Sequence, residues 1–135
     1  MNFDAIVVDD QVDSRLLVES YLVKIGYNVT TASDGQEALD ILRSNPNRFS
    51  VLVTDCMMPR MKGPCLIRKL YELEIQISTI ILSSALSEND ELISSILKDP
   101  AYSVTFIKKG TLDFGKKLEL AASELFQKSV PIKVE

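Results

Sequence analysis

The chain has 135 residues, 46% of them hydrophobic and 25% charged, which is the balance of one soluble domain large enough to bury a core of its own. With 15 basic against 19 acidic residues the formal charge is −4, which argues against nucleic acid as the main partner, because phosphate backbones are bound by clustered Lys and Arg. There is no histidine and there are only two cysteines, Cys56 and Cys65, so a Ser-His-Asp triad, an imidazole base, a zinc framework and a disulfide framework are all excluded.

Short apolar, β-branched runs alternate with longer segments of helical period. Residues 3–8 (FDAIVV) read as a strand buried on both faces. A helix is predicted over 12–25, with Val18, Tyr21, Leu22 and Ile25 at helical spacing and Gly26 where a C-terminal glycine belongs. Residues 27–32 (YNVTTA) form the second strand, and Ser33 with Asp34 cap a helix that turns Ala38, Ile41 and Leu42 inward. The third strand is 50–54 (SVLVT). Gly63-Pro64 then opens a helix carrying Leu66, Leu70 and Leu73. The fourth strand is 78–83 (STIILS), followed by a helix capped at Ser87 and running to about Leu97. The fifth is 103–107 (SVTFI), and Thr111 caps a last helix with Phe114, Leu118, Ala121, Ala122 and Leu125 on one face. A domain over 1–127 with a loosely held tail over 128–135 is expected. The N-terminus has no signal-peptide pattern and no apolar run is long enough to span a membrane, so a reduced cytoplasmic setting is expected.

Five strands alternating with five helices imply an α/β doubly wound parallel sheet, whose ligands gather at the carboxyl ends of the strands. Polar residues stand at those ends. Asp9 and Asp10 follow the first strand, Asp55 the third, Ser84 the fourth and Lys109 the fifth. Taken singly, each has a plain structural reading: a turn and helix cap, a turn serine, a solvated lysine. Together they describe chemistry. Carboxylates brought close repel, and a hard divalent cation that keeps several waters and binds phosphate oxygens, magnesium best of all, resolves the conflict. Lys109 and Ser84 offer a positive charge and a hydroxyl donor to a transferred phosphoryl group, and a carboxylate is a known nucleophile for one. The arrangement suits formation of an acyl phosphate.

The segments VVDD (7–10), GYNVTTASDGQEAL (26–39), DCMMPRMKG (55–63), IILSSA (80–85) and FIKKG (106–110) together resemble the receiver domain of bacterial response regulators along nearly the whole chain. The resemblance is to chemotaxis-regulator-like receivers, standing alone or excised from a hybrid kinase. It implies a flavodoxin-like sheet of order 2-1-3-4-5 and a phosphoprotein of a two-component system or phosphorelay. It makes Asp55 the phosphoacceptor and Asp10 a magnesium ligand, with Asp9 beside it and the Met57 backbone carbonyl completing the protein's share of the metal shell. Ser84 stands at the switch hydroxyl, Ala85 at the small residue after it, Lys109 at the family's lysine and Phe106 at the aromatic switch residue, which by itself reads equally as a core aromatic. The implied partners are a histidine kinase or histidine phosphotransfer protein and a downstream effector or output domain. A homodimer through the fourth helix, fifth strand and fifth helix is a further implied assembly, with no direct nucleic-acid contact and no membrane insertion. The domain is expected to signal rather than catalyse.

The sequence departs from the family pattern at several points. Lys109 is followed by Gly110 rather than proline, Lys62 replaces an acidic residue, and the segment 98–103 (KDPAYS) is longer than usual. Met57 and Leu86 are apolar where the family influences attack by water, so a long-lived acyl phosphate is expected. Three other functions fit less well. A receiver-like module that binds partners without phosphorylation usually loses an acidic residue or the lysine. A magnesium-dependent phosphatase would want Asp-x-Asp after the first strand, where Asp9-Asp10-Gln11-Val12-Asp13 stands, and a flavin protein would want a phosphate-cradling loop there in place of an acidic one.

Overall fold

The computed structural model describes residues 3–84 and 91–128. The elements in chain order are β1 (Asp4–Val8), α1 (Val12–Ile25), β2 (Asn28–Ala32), α2 (Gly35–Ser44), β3 (Val51–Asp55), α3 (Gly63–Glu72), β4 (Ser78–Ser83), α4 (Glu91–Lys98), β5 (Val104–Lys108) and α5 (Phe114–Lys128). The strands form one parallel sheet in the order β2-β1-β3-β4-β5, so the doubly wound reading and its strand order hold.

Strand side chains alternate between two helical layers. Ala5, Val7, Val51, Val53, Ile80, Leu82 and Ile107 pack with Val18 and Leu22 of α1 and Leu118 and Ala122 of α5. On the other face Ile6, Val8 and Leu52 meet Ala38 and Leu42 of α2 and Leu66 and Leu70 of α3. Ile81 continues that face with Ile67 of α3 and Ile93 and Ile96 of α4. The central strands are therefore buried on both sides, which is why they read as unbroken apolar runs.

Several expected boundaries shift by one residue, for a hydrogen-bonding reason. Tyr27 precedes β2 rather than opening it, because its N–H closes the end of α1 on the Leu22 carbonyl while Gly26 N–H bonds to Val23. That is a Schellman cap, with Gly26 at φ +125°. Leu73 does not face inward. It caps α3 from outside the helix and is 45% exposed. Thr111 is not the cap of α5: its carbonyl accepts from Phe114 in a preceding turn, and the Asp113 carbonyl accepts the first helical bond from Lys117. Asp34 does cap α2, accepting from Glu37 N–H at 2.9 Å, while Ser33 donates its own N–H and hydroxyl to the Glu37 carboxylate. The expected cap at Ser87 and the tail beyond Lys128 lie outside the described residues.

At the amino end of the sheet the Phe3 ring stacks on Phe126 of α5, with centroids 4.7 Å apart, and Tyr27 meets Phe126 edge-on at 5.1 Å. The Tyr27 hydroxyl donates to the Ala122 carbonyl. The longer segment between α4 and β5 rests on α3 through Tyr102, whose ring lies 5.0 Å from that of Tyr71.

Candidate phosphoacceptor site

The carboxyl edge of the sheet carries the polar residues. Asp9 directly follows β1, and its N–H extends the ladder to the Ala32 carbonyl. It is 1% exposed and fixed at every polar atom: Oδ1 accepts Gln11 N–H, Oδ2 accepts Lys109 Nζ at 3.1 Å, and the carbonyl accepts Arg15 Nη1. Asp10 is exposed at the start of the turn into α1. Asp55 is the last residue of β3, paired in register with Leu82. Carboxylate oxygens of Asp9, Asp10 and Asp55 all lie within 4.8 Å of one another.

Lys109, one residue past β5, reaches back across the sheet edge. Its backbone N–H bonds to the Ser83 carbonyl, and its ammonium lies 3.1 Å from Asp9 Oδ2, 3.4 Å from Asp55 Oδ1 and 3.1 Å from Ser14 Oγ. The Lys109 ammonium thus lies against two of the three carboxylates, Asp9 and Asp55. Burial pushes the Asp55 carboxyl above its ordinary range; Lys109 opposes the shift, Asp9 adds to it, and the Cys56 N–H on Oδ1 opposes it weakly. The ionised form of Asp55 is therefore held at a cost, in a place where a further positive charge would be welcome.

The segment after β3 folds tightly back on Asp55. Gly63 N–H bonds to the Cys56 carbonyl, and a Cβ on Gly63 would lie 2.5 Å from the Asp55 carbonyl oxygen. That carbonyl also accepts the hydroxyl of the fully buried Thr54. Arg60, at φ +66°, pairs with the buried Asp34 carboxylate and so ties this loop to the start of α2.

The fold thus brings together Asp9, Asp10, Asp55 and Lys109. Ser84 follows β4 on the same edge and is exposed, while its neighbour Ser83 is fully buried. Met57 exposes its side chain (46%), and Phe106 is half-buried against the cluster of Ile81, Ile93 and Ile96. Ala85 and Leu86 lie outside the described residues. Ser14, Arg15, Thr54 and the Arg60–Asp34 pair bear no mark in the sequence. Their importance arises from contacts between elements, which residue spacing within one element does not encode.

Comparison with known proteins agrees with this geometry. The family described as "Response regulator receiver domain" matches residues 5–110. The chain is 34% identical over 108 residues to the two-component response regulator ARR10 of Arabidopsis thaliana, covering 80% of this chain and 17% of that protein. It is 30% identical over 92 residues to the response regulator SaeR of Staphylococcus epidermidis, covering 68% and 39%. It therefore spans well under half of the curated relatives it matches. Among solved structures, the receiver domain of the Francisella response regulator 1452 superposes with a TM-score of 0.76 at 27% identity, covering 96% of this chain and all of that one. The crystal structure of FixJ-N superposes with a TM-score of 0.74 at 26% identity, covering 98% of this chain and 99% of that one. With sheet order, strand-end carboxylates and sequence in agreement, the chain belongs to the response regulator receiver domain family.

Proposed function

We propose that this domain is a switch operated by phosphorylation of Asp55, with the phosphoryl group supplied by a histidine kinase or histidine phosphotransfer protein. The observation that carries the reading is the meeting of the Asp9, Asp10 and Asp55 carboxylates within 4.8 Å, with the Lys109 ammonium 3.4 Å from Asp55. An oxygen of the Asp55 carboxylate forms the new bond to phosphorus as the bond from phosphorus to the donor's imidazole nitrogen breaks. The electron pair stays with that imidazole, which belongs to the partner because this chain has no histidine.

The donor set suits magnesium: hard carboxylate oxygens from Asp9, Asp10 and Asp55, with the Met57 backbone carbonyl as the further protein ligand. When bound, magnesium supplies the charge neutralisation that lets an anionic phosphoryl group approach this acidic edge. Lys109 contributes a fixed positive charge beside the oxygen that reacts, and Ser84 a hydroxyl donor from the next strand. The Asp55 phosphate, with close to two negative charges, draws on both. Motion of Ser84 and Phe106 then repacks the α4–β5–α5 face, which a downstream effector, an output domain or a second copy reads. The unit that switches is 1–127, and the chemistry is limited to gain and loss of the phosphoryl group. Because Met57 and Leu86 are apolar and orient no water, the acyl phosphate lasts well beyond seconds in the purified protein; complete hydrolysis within seconds contradicts that point.

The test is incubation with magnesium and a small acyl-phosphate donor, followed by intact-mass measurement of wild type and Asp55→Asn. One phosphoryl adduct on the wild type alone, abolished by prior chelation, is expected. No adduct on either protein would overturn the reading in favour of a module that binds partners without phosphorylation.

A further inference from the structure

Lys109 must hold its ammonium at one place, yet the chain beyond it offers little support. Gly110 is exposed, turns at φ +80°, and a Cβ there would meet nothing within 4 Å. The backbone N–H of Lys109 is fixed to the Ser83 carbonyl, but a flexible four-carbon stem separates that anchor from the charge. What locates the charge is its set of acceptors. An ammonium has three N–H bonds, and three oxygens surround this one: Asp9 Oδ2, Asp55 Oδ1 and Ser14 Oγ.

Ser14 differs from the other two. It is neutral, lies outside the acidic cluster, and projects from the first turn of α1. Arg15, the next residue, donates to the Asp9 carbonyl at 2.8 Å and so fixes that turn against the end of β1. The hydroxyl is thus a fixed third point for the ammonium. Asp9 and Asp55 change their electrostatic surroundings when a cation or a phosphoryl group arrives, whereas Ser14 does not.

We infer that Ser14 is a positioning residue for phosphoryl uptake, holding the Lys109 ammonium so that one N–H stays directed at Asp55. The inference rests on the reading of Asp55 as the phosphoacceptor. Its loss acts only through Lys109. Ser14→Ala leaves the ammonium two carboxylate acceptors and no fixed neutral one, and uptake is expected to slow roughly three- to tenfold, within the range of losing one ordinary net hydrogen bond. Ser14→Thr keeps the hydroxyl and the rate.

Two measurements test this. The first follows uptake from acetyl phosphate with magnesium by intact mass, for wild type, Ser14→Ala, Ser14→Thr, Lys109→Ala and the Ser14→Ala/Lys109→Ala pair, alongside their thermal midpoints. Slow uptake in Ser14→Ala, rescue in Ser14→Thr, an unchanged midpoint, and a double variant no slower than Lys109→Ala support the inference. The second uses metal-free protein labelled with nitrogen-15 in lysine. The Lys109 ammonium signal should be ordered in wild type and Ser14→Thr and more mobile in Ser14→Ala. Wild-type uptake in Ser14→Ala, a further slowing on top of Lys109→Ala, or an ammonium signal indifferent to Ser14 would each overturn it. Absence of an adduct on wild type would remove the Asp55 reading and the inference together, whereas an Asp55 adduct with unaltered Ser14→Ala kinetics removes the inference alone.

Discussion

Replacing Gly63 by alanine perturbs the site at its tightest point. The new Cβ would stand 2.5 Å from the Asp55 carbonyl oxygen and 3.3 Å from Cys56 Cα, against an ordinary contact that begins near 3.4 Å. Neither side yields easily. The Asp55 carbonyl is held by the Thr54 hydroxyl, Cys56 N–H is bonded to the Leu82 carbonyl at 2.8 Å, and Gly63 is the first residue of α3, tied to Cys56 by its own N–H. Overpacking against fixed backbone costs about 1–3 kcal/mol, and straining the Gly63–Cys56 hydrogen bond adds up to about 1 kcal/mol. Reduced freedom of the unfolded chain returns about 0.5–1 kcal/mol. A net loss of about 2 kcal/mol follows. With an unfolding entropy of about 2.1 cal/mol/K per residue over 135 residues, the melting midpoint should fall by about 7 °C. Gly110→Ala is the control: it meets no atom and carries only the left-handed backbone penalty at φ +80°, about 1–2 kcal/mol, with no displacement of Asp55. Thermal and urea unfolding of both variants, with phosphoryl uptake measured on each, checks the argument. Gly63→Ala is expected to lose stability and uptake together, and Gly110→Ala to lose stability with a smaller change in uptake. A Gly63→Ala protein that melts within a degree of wild type would refute the steric reasoning.

Three further outcomes follow from the same contacts. Because burial raises the Asp55 carboxyl, the stability linked to its protonated form is complete below the unfolded-state range and is lost as pH rises through the folded value. Asp55→Asn should therefore stabilise the metal-free protein at neutral pH, and the gain should shrink on acidification; a pH-independent difference would contradict this. Tyr27, 3% exposed and donating to the Ala122 carbonyl, has its phenol pushed up to about 12 by burial, so its stabilising neutral form persists above the unfolded value near 10 and is lost as pH rises through about 12. Ultraviolet titration should show one late phenol ionisation, and Tyr27→Phe should remove it at a cost of about 1 kcal/mol. Asp34→Ala should cost about 1–2 kcal/mol, since it removes the α2 cap and a buried ion-pair partner. Arg60→Ala, whose side chain is 71% exposed, should cost less than about 1 kcal/mol; equal losses in urea unfolding would show that the pair, and not the cap, matters most.

The fold was legible because its central strands are buried on both faces. Ala5 through Val8, Val51 through Val53 and Ile80 through Leu82 form continuous apolar runs that only a covered parallel sheet accommodates. Once these three runs and the two edge strands alternate with helices, topology places Asp9, Asp10, Asp55 and Lys109 on one edge, so the gathering of these residues was legible too. What escaped were residues whose partners are set by close approach between elements. Tyr27 looks like a strand residue by composition, but its N–H belongs to the helix end before it. Leu73 keeps the helical spacing of Leu66 and Leu70, yet the helix stops one residue short of it. Ser14 and Thr54 are ordinary polar residues until the sheet edge closes around them.

The stack of Phe3 on Phe126 has a bearing on how a message leaves this domain. Both rings sit at the amino pole of the sheet, and Asp55 sits at the other end of a five-residue strand, a separation of about 17 Å along the strand direction. Any segment joined ahead of β1 or behind α5 starts from that same remote pole. Charges at that pole lie beyond direct electrostatic reach of the Asp55 carboxylate at physiological salt, since the screening length is about 8 Å. On the proposed reading of Asp55 as the phosphoacceptor, coupling between the two poles runs through displacement of the packed layers between them.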